Sequence, residues 1–470
     1  MQLQKKYIFI IIVFGSFFFI YLLSGLFSSS INITNTVILP LQSTISLSDL
    51  STLFNNNLRT TITVSDKNQE VDLFLLSQDF SFFITQQDIF FDNTVNSKIN
   101  KFSNNFYNYE ISSSIKMLSN RTQLAFTKYK NGRKAKENFA LCSPNKCNKN
   151  SIKMENFDFM LIEDPVDRVS GGIGLSPNEY IGDGAINLFN ELFRKKYIKN
   201  PVWYIEYEKS KAKNLVIGKF PYELDNKYKK DDFEFFKNEN KDMLWSLKMI
   251  KILIEKKDNN AYENNENTIK DILIQFMQDF SLIYGPPEYY NKIKNRFFNK
   301  YLNNQCRENT FNYQSIDYLY ISCNKDISIE DFPDLLFYIN KNTKFQLTYE
   351  DLFTKFGEDI LFLFMTNKIE KYFNGKWILG EPFLKKYMPV YNQKELKIGF
   401  FGVAKEKKEN YQSAGIIGFI FLMIFIGIII YLCLFIFRKY RNRKIRKAAL
   451  EMKIEEISSK LILNKSENKI

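Results

Sequence analysis

The chain contains no histidine in 470 residues. That absence excludes Ser-His-Asp and Cys-His nucleophilic machinery, His-Glu-x-x-His zinc sites and any histidine general base, while carboxylate chemistry stays open. Cysteine is scarce, with Cys142, Cys147, Cys306 and Cys323 in the middle of the chain and Cys433 in an apolar run. Two distant pairs without histidine make a poor tetrahedral zinc set, so Cys142 with Cys147 and Cys306 with Cys323 read as two local bridges. No metal and no cofactor are implied.

A concentrated basic surface is also missing. The formal charge is +13, yet residues 438–470 carry eleven Lys/Arg against four Glu, and Lys5 and Lys6 add two more. What remains in the middle is too scattered to form a nucleic-acid footprint. The 45% hydrophobic content at this length supports a sizeable core, as one two-lobed domain or two ordinary ones.

Two long apolar runs bracket the middle. Residues 7–27 follow a basic start and precede small residues, so 1–28 reads either as a cleaved signal peptide or as an uncleaved signal anchor. Residues 414–437 are free of charge and run straight into Arg438-Lys-Tyr-Arg-Asn-Arg-Lys444, the pattern of a transmembrane helix with a basic cytoplasmic tail at 438–470. The intervening 29–413 is then lumenal or extracellular, in the secretory pathway, at the plasma membrane or in an endolysosomal membrane, where disulfides persist. Sequons at Asn32 and Asn120 fit glycosylation on that side. The membrane is the partner that this pattern names; nothing in it sets an oligomeric state.

Between the runs the pattern is mostly β, with short Val, Ile, Phe, Tyr and Thr stretches separated by Asn, Asp, Lys and Gly clusters. Residues 60–64 and 71–76 flank Asp66-Lys-Asn-Gln69 as a hairpin, 186–194 and 350–356 have helical spacing, and 226–240 reads as a charged surface insertion. The tail from 444 to 463 has helix-forming composition.

Several stretches carry a resemblance. Trp377-Ile-Leu-Gly-Glu-Pro-Phe383 and the residues on to Phe401, Ser281-Leu-Ile-Tyr-Gly-Pro-Pro287, Cys323 followed by Phe332-Pro-Asp-Leu335, and Gly171-Gly-Ile-Gly-Leu175 occur in an order similar to that of the pepsin-like aspartic peptidase family. The resemblance implies a mostly β, two-lobed fold with double-ψ β-barrel-type lobes at about 55–200 and 201–404, a Cys306–Cys323 bridge, and a flap tyrosine at Tyr129. It also implies two aspartates sharing one proton, one from each lobe. Those positions read here as Leu76 or Ser77 in the first lobe and Met277 in the second, with Asp279 where a motif glycine would stand. The tetrapeptide Gln78-Asp-Phe-Ser81 repeats as Gln278-Asp-Phe-Ser281, so Asp79 and Asp279 are the candidates for a displaced catalytic pair.

Three readings follow. The first is a membrane-anchored, catalytically inactive member that holds a peptide or protein between its lobes. The second is an acid endopeptidase working through Asp79 and Asp279. The third is a purely structural surface protein with no ligand in a cleft. The aromatics do not decide among them: Tyr129, Trp203, Tyr204 and Trp245 could line a cleft, but most such residues belong to a core.

Overall fold

The computed structural model describes residues 36–46, 48–86, 105–119, 122–123, 131–142, 152–163, 169–177, 186–208, 211–239, 244–255, 272–368, 375–405 and 411–467. Residues 1–28, Asn32, Asn120, Tyr129 and Cys147 lie outside them. The chain divides into two units, Met1–Ala404 and Lys405–Ile470.

The larger unit is built from β-structure in which one motif occurs twice. The expected hairpin forms between Arg59–Val64 and Gln69–Leu76, with the turn at residues 65–68 between them. Gln69–Leu76 then runs parallel to Gly171–Gly174, which is antiparallel to Phe82–Thr85, itself parallel to Lys153–Ile162. In the second half Ile272–Phe276 runs parallel to Trp377–Leu379, which is antiparallel to Ile283–Tyr284, itself parallel to Phe364–Asn367. Each half therefore passes a loop from one strand to another that lies two places along its sheet, with Gly171–Gly174 or Trp377–Leu379 between them, leaving residues 77–81 and 277–282 as the connecting loops. Inner strands of these sheets read as continuous apolar runs because both faces are covered: all four residues of Phe82–Thr85 and of Gly171–Gly174 are buried.

A six-stranded sheet joins the halves, in the order Val37–Pro40, Lys211–Ile217, Val202–Glu208, Val390–Asn392, Lys397–Phe401, Phe233–Lys237. Its last strand corrects one expectation, since 226–240 is not simply a charged surface insertion. Phe233 is buried, and Phe235 lies over Gly399, where an added Cβ would overlap its ring. The charged neighbours masked three phenylalanines with a sheet edge to cover. Trp203 and Tyr391 are cross-strand partners in this sheet and stack at 4.1 Å between ring centroids. Trp203, Tyr204 and Trp245 are all buried core residues.

Helix appears where the spacing predicts it in the first half, at Leu188–Arg194, where the Asn187 side chain accepts the N–H groups of Phe189 and Asn190. Residues 350–356 split instead, one helical turn at Tyr349–Leu352 passing into the strand Phe353–Phe356. The helix Pro287–Phe298 was not anticipated. It starts on a proline at its first position and buries Tyr289, Tyr290, Ile293, Phe297 and Phe298 on one side.

Cys306 and Cys323 face each other across an antiparallel ladder and form a disulfide spanning 17 residues of sequence. Cys142 is also disulfide-bonded.

The second unit contains one helix, Tyr411–Glu467. It is the one helix among the described residues long and apolar enough to cross a membrane, with mean hydropathy 2.0 over its most apolar window. The expected span at 414–437 and the expected tail helix at 444–463 are parts of this single element.

Candidate functional site

The two loops meet at the centre of the larger unit, and glycine lets each approach its own sheet. A Cβ on Gly174 would overlap the backbone of Phe80, and one on Gly380 would overlap the backbone oxygen of Phe280. Backbone bonds close the same fit: Gly174 N–H donates to Ser81 O at 3.0 Å and Gly380 N–H to Leu282 O at 3.0 Å.

The ladders set the correspondence between the loops. Leu76 stands opposite Gly174, and Phe276 stands opposite Leu379, so Met277 is level with Gly380. Phe82 opposite Ile173 and Ile283 opposite Leu379 give the same alignment. Leu76 therefore corresponds to Met277, Ser77 to Gln278 and Gln78 to Asp279. The tetrapeptide repeat falls one residue out of step with this symmetry, so Asp79 corresponds to Phe280 and not to Asp279.

Ser77 and Gln278 lock the loops together. Ser77 Oγ accepts the Gln278 backbone N–H at 2.8 Å and donates to Gln278 Oε1 at 3.0 Å. The other end of that amide, Nε2, donates to Tyr391 OH at 2.5 Å, which ties the lock to the stacked pair in the joining sheet. Ser77 O in turn accepts the Ser176 hydroxyl at 3.0 Å, and Asn56 donates from its backbone to Asp279 O at 3.1 Å and from its side chain to Gln278 O at 3.2 Å. All of these bonds are buried or nearly so, where a satisfied network holds one arrangement and a broken one is costly.

The two aspartates sit differently. Asp79 is buried and its Oδ1 accepts the Ser81 backbone N–H at 2.8 Å, an Asx turn within its own loop. Asp279 is half-buried and reaches across the seam, its Oδ2 accepting the Ser77 backbone N–H at 3.4 Å. Leu76 and Met277 are both half-buried; Leu76 packs with Phe83, Met160 and Ile162, and Met277 lies 3.8 Å from the Gln78 side-chain amide.

A third carboxyl lies nearby. Glu381 Oε2 accepts the Ser281 hydroxyl at 2.8 Å. Burial pushes this carboxyl above the ordinary glutamate range, with Ser281 and the Lys385 ammonium opposing the shift. Burial also holds the hydroxyls of Tyr207 and Tyr391 un-ionised.

Sequence reasoning picked out Leu76, Ser77, Met277, Asp79 and Asp279; four are in these loops and Leu76 is the last residue of the strand that leads into the first. It missed Gln278, Asn56, Tyr391 and Glu381 as working parts. Tyr391 and Glu381 lie in or beside recognised segments, but their partners are about 100 residues away or more in the chain.

Residues 72–403 match the family model for the eukaryotic aspartyl protease. The chain belongs to that family. No curated protein matches the sequence.

Proposed function

We propose that this is a single-pass membrane protein whose aspartyl protease domain does not cleave peptides and instead holds a peptide or protein ligand between its lobes. The observation that carries the reading is the pair Leu76 and Met277, level with Gly174 and Gly380. Hydrolysis by an aspartic dyad needs two carboxylates that share one proton and act on one water. An isobutyl group and a thioether hold no such proton. Asp79 and Asp279 do not replace them symmetrically, because the register offsets one from the other and Asp79 is committed to its own loop.

The endopeptidase reading has one supporting contact, Asp279 Oδ2 at 3.4 Å from the Ser77 amide, which brings that carboxylate into the seam beside the loop holding Asp79. Incubating the full-length protein with a peptide library from mildly to strongly acidic pH, with and without pepstatin, separates the two. Retention of peptides without turnover supports the first reading. Pepstatin-sensitive hydrolysis lost equally in Asp79→Asn and Asp279→Asn establishes the second.

The proposed orientation places residues 438–470 in the cytoplasm, because seven basic residues follow the apolar run within 438–447. Protease added to sealed vesicles with their cytosolic face outward should trim the tail and spare 55–404.

A further inference from the structure

Beneath the loops lies a cavity of about 400 Å³, within the usual range for a small ligand. It opens to solvent and is bounded by the N-terminal segment, by the joining sheet and by the start of the Glu381–Tyr387 helix. Most of its wall is apolar, including Leu41, Leu53, Leu58 and Leu363. Two lysines, Lys211 and Lys385, also line it. Neither is ion-paired among the described residues, whereas many other lysines of this domain pair with a carboxylate, as Lys386 does with Asp351 and Lys195 with Asp158.

The remaining polar lining only partly offsets that charge. Glu381 bonds Ser281 and lies within electrostatic reach of Lys385, which leaves one carboxyl against two ammonium groups; Tyr207, Gln278 and Asn56 are neutral. An apolar wall with an excess of positive charge suits a molecule that has one apolar body and one anionic head. A neutral apolar molecule would leave the lysines unanswered, and a small inorganic anion would leave the apolar wall wet.

We propose that this cavity binds a single-chain anionic amphiphile, a fatty carboxylate of medium length, with its chain against Leu41, Leu53 and Leu363 and its head between Lys211 and Lys385. The proposal does not depend on whether the domain cleaves peptides. Gln278 and Asn56 belong both to this lining and to the lock between the loops, so occupancy stabilises the seam through ordinary ligand linkage.

The test uses the full-length protein in nanodiscs of neutral lipid, labelled with a diazirine-bearing fatty acid and mapped by proteolysis. Labelling is expected in peptides covering 41–58 and 381–387, displaced by excess decanoate but not by decanol or inorganic phosphate. A lysophospholipid arm with a phosphate head distinguishes a lipid source from a free fatty acid. Lys211→Glu with Lys385→Glu should lower labelling at least tenfold, and Ala212→Trp, which fills the cavity, should abolish it. Label confined to 411–467, displacement by decanol as good as by decanoate, or wild-type labelling in the double lysine variant would each overturn the proposal. The lysine changes lie at exposed or half-exposed positions, so the double variant keeps the test valid if Ala212→Trp does not fold.

Discussion

Ser77 and Gln278, 201 residues apart in the chain, exchange two hydrogen bonds: the Gln278 N–H is given to Ser77 Oγ at 2.8 Å and the Ser77 hydroxyl to Gln278 Oε1 at 3.0 Å. Both residues are almost fully buried. The lock is one-sided, a hydroxyl from one lobe answered by an amide from the other, and the Gln278 side chain carries it onward to Tyr391.

Ser77→Ala strands the Gln278 backbone N–H and Oε1 away from water. An unsatisfied buried group costs about 1–3 kcal/mol, and urea unfolding should show a loss of that order. Gln278→Ala should cost a similar amount, and the double variant less than the sum, since the two side chains share one interaction.

Gly174→Ala and Gly380→Ala each place a methyl group on the backbone of the loop beneath, at Phe80 and Phe280. Backbone cannot move aside as a flexible side chain can. Each change should destabilise by about 1–3 kcal/mol or more, as overpacking does, with Gly380→Ala perturbing the amide signals of residues 278–282 if examined by NMR.

Removing the bridge by Cys306→Ser with Cys323→Ser releases a ladder that the helix Pro287–Phe298 and the strand Asp359–Phe362 pack around. Native disulfides in oxidising compartments are worth about 2–5 kcal/mol. Thermal unfolding should show a corresponding drop, and non-reducing peptide mapping of the unmodified protein should recover Cys306 linked to Cys323.

The Glu381 carboxyl has a folded pKa raised above its ordinary value by burial. The folded state therefore holds this proton more tightly than the unfolded chain. The sign follows from linkage: the contribution is fully present below the ordinary glutamate value and is lost as pH rises through the raised one. Wild type should lose stability relative to Glu381→Gln between acidic and neutral pH, read as diverging urea midpoints. Parallel curves across that range would refute the assignment.

Leu76→Asp with Met277→Asp restores two carboxylates at the positions level with the glycine turns. No pepstatin-sensitive cleavage is expected, because Gln78 and Asp279 still stand two residues further along each loop and Ser77 and Gln278 still fill the seam. Cleavage by this double variant alone would show that the neighbouring side chains do not obstruct a water.

Much of this protein was legible in one dimension. The hairpin at 59–76, the Cys306–Cys323 bridge and the apolar run before Arg438 each depend on residues close in sequence, whose spacing and type express the local structure directly. The strand hidden in the charged stretch at 233–237 and the helix at 287–298 depended on packing that composition conceals. The loop correspondence was decided only in three dimensions. A repeated tetrapeptide suggested that Asp79 and Asp279 are equivalent, but the β-ladders pair Leu76 with Gly174 and bring Met277 level with Gly380, moving the aspartates out of step. Sequence similarity counts residues along a chain, whereas register is set by which backbone amides and carbonyls meet across a sheet. One residue of offset is enough to send two identical side chains to different surroundings.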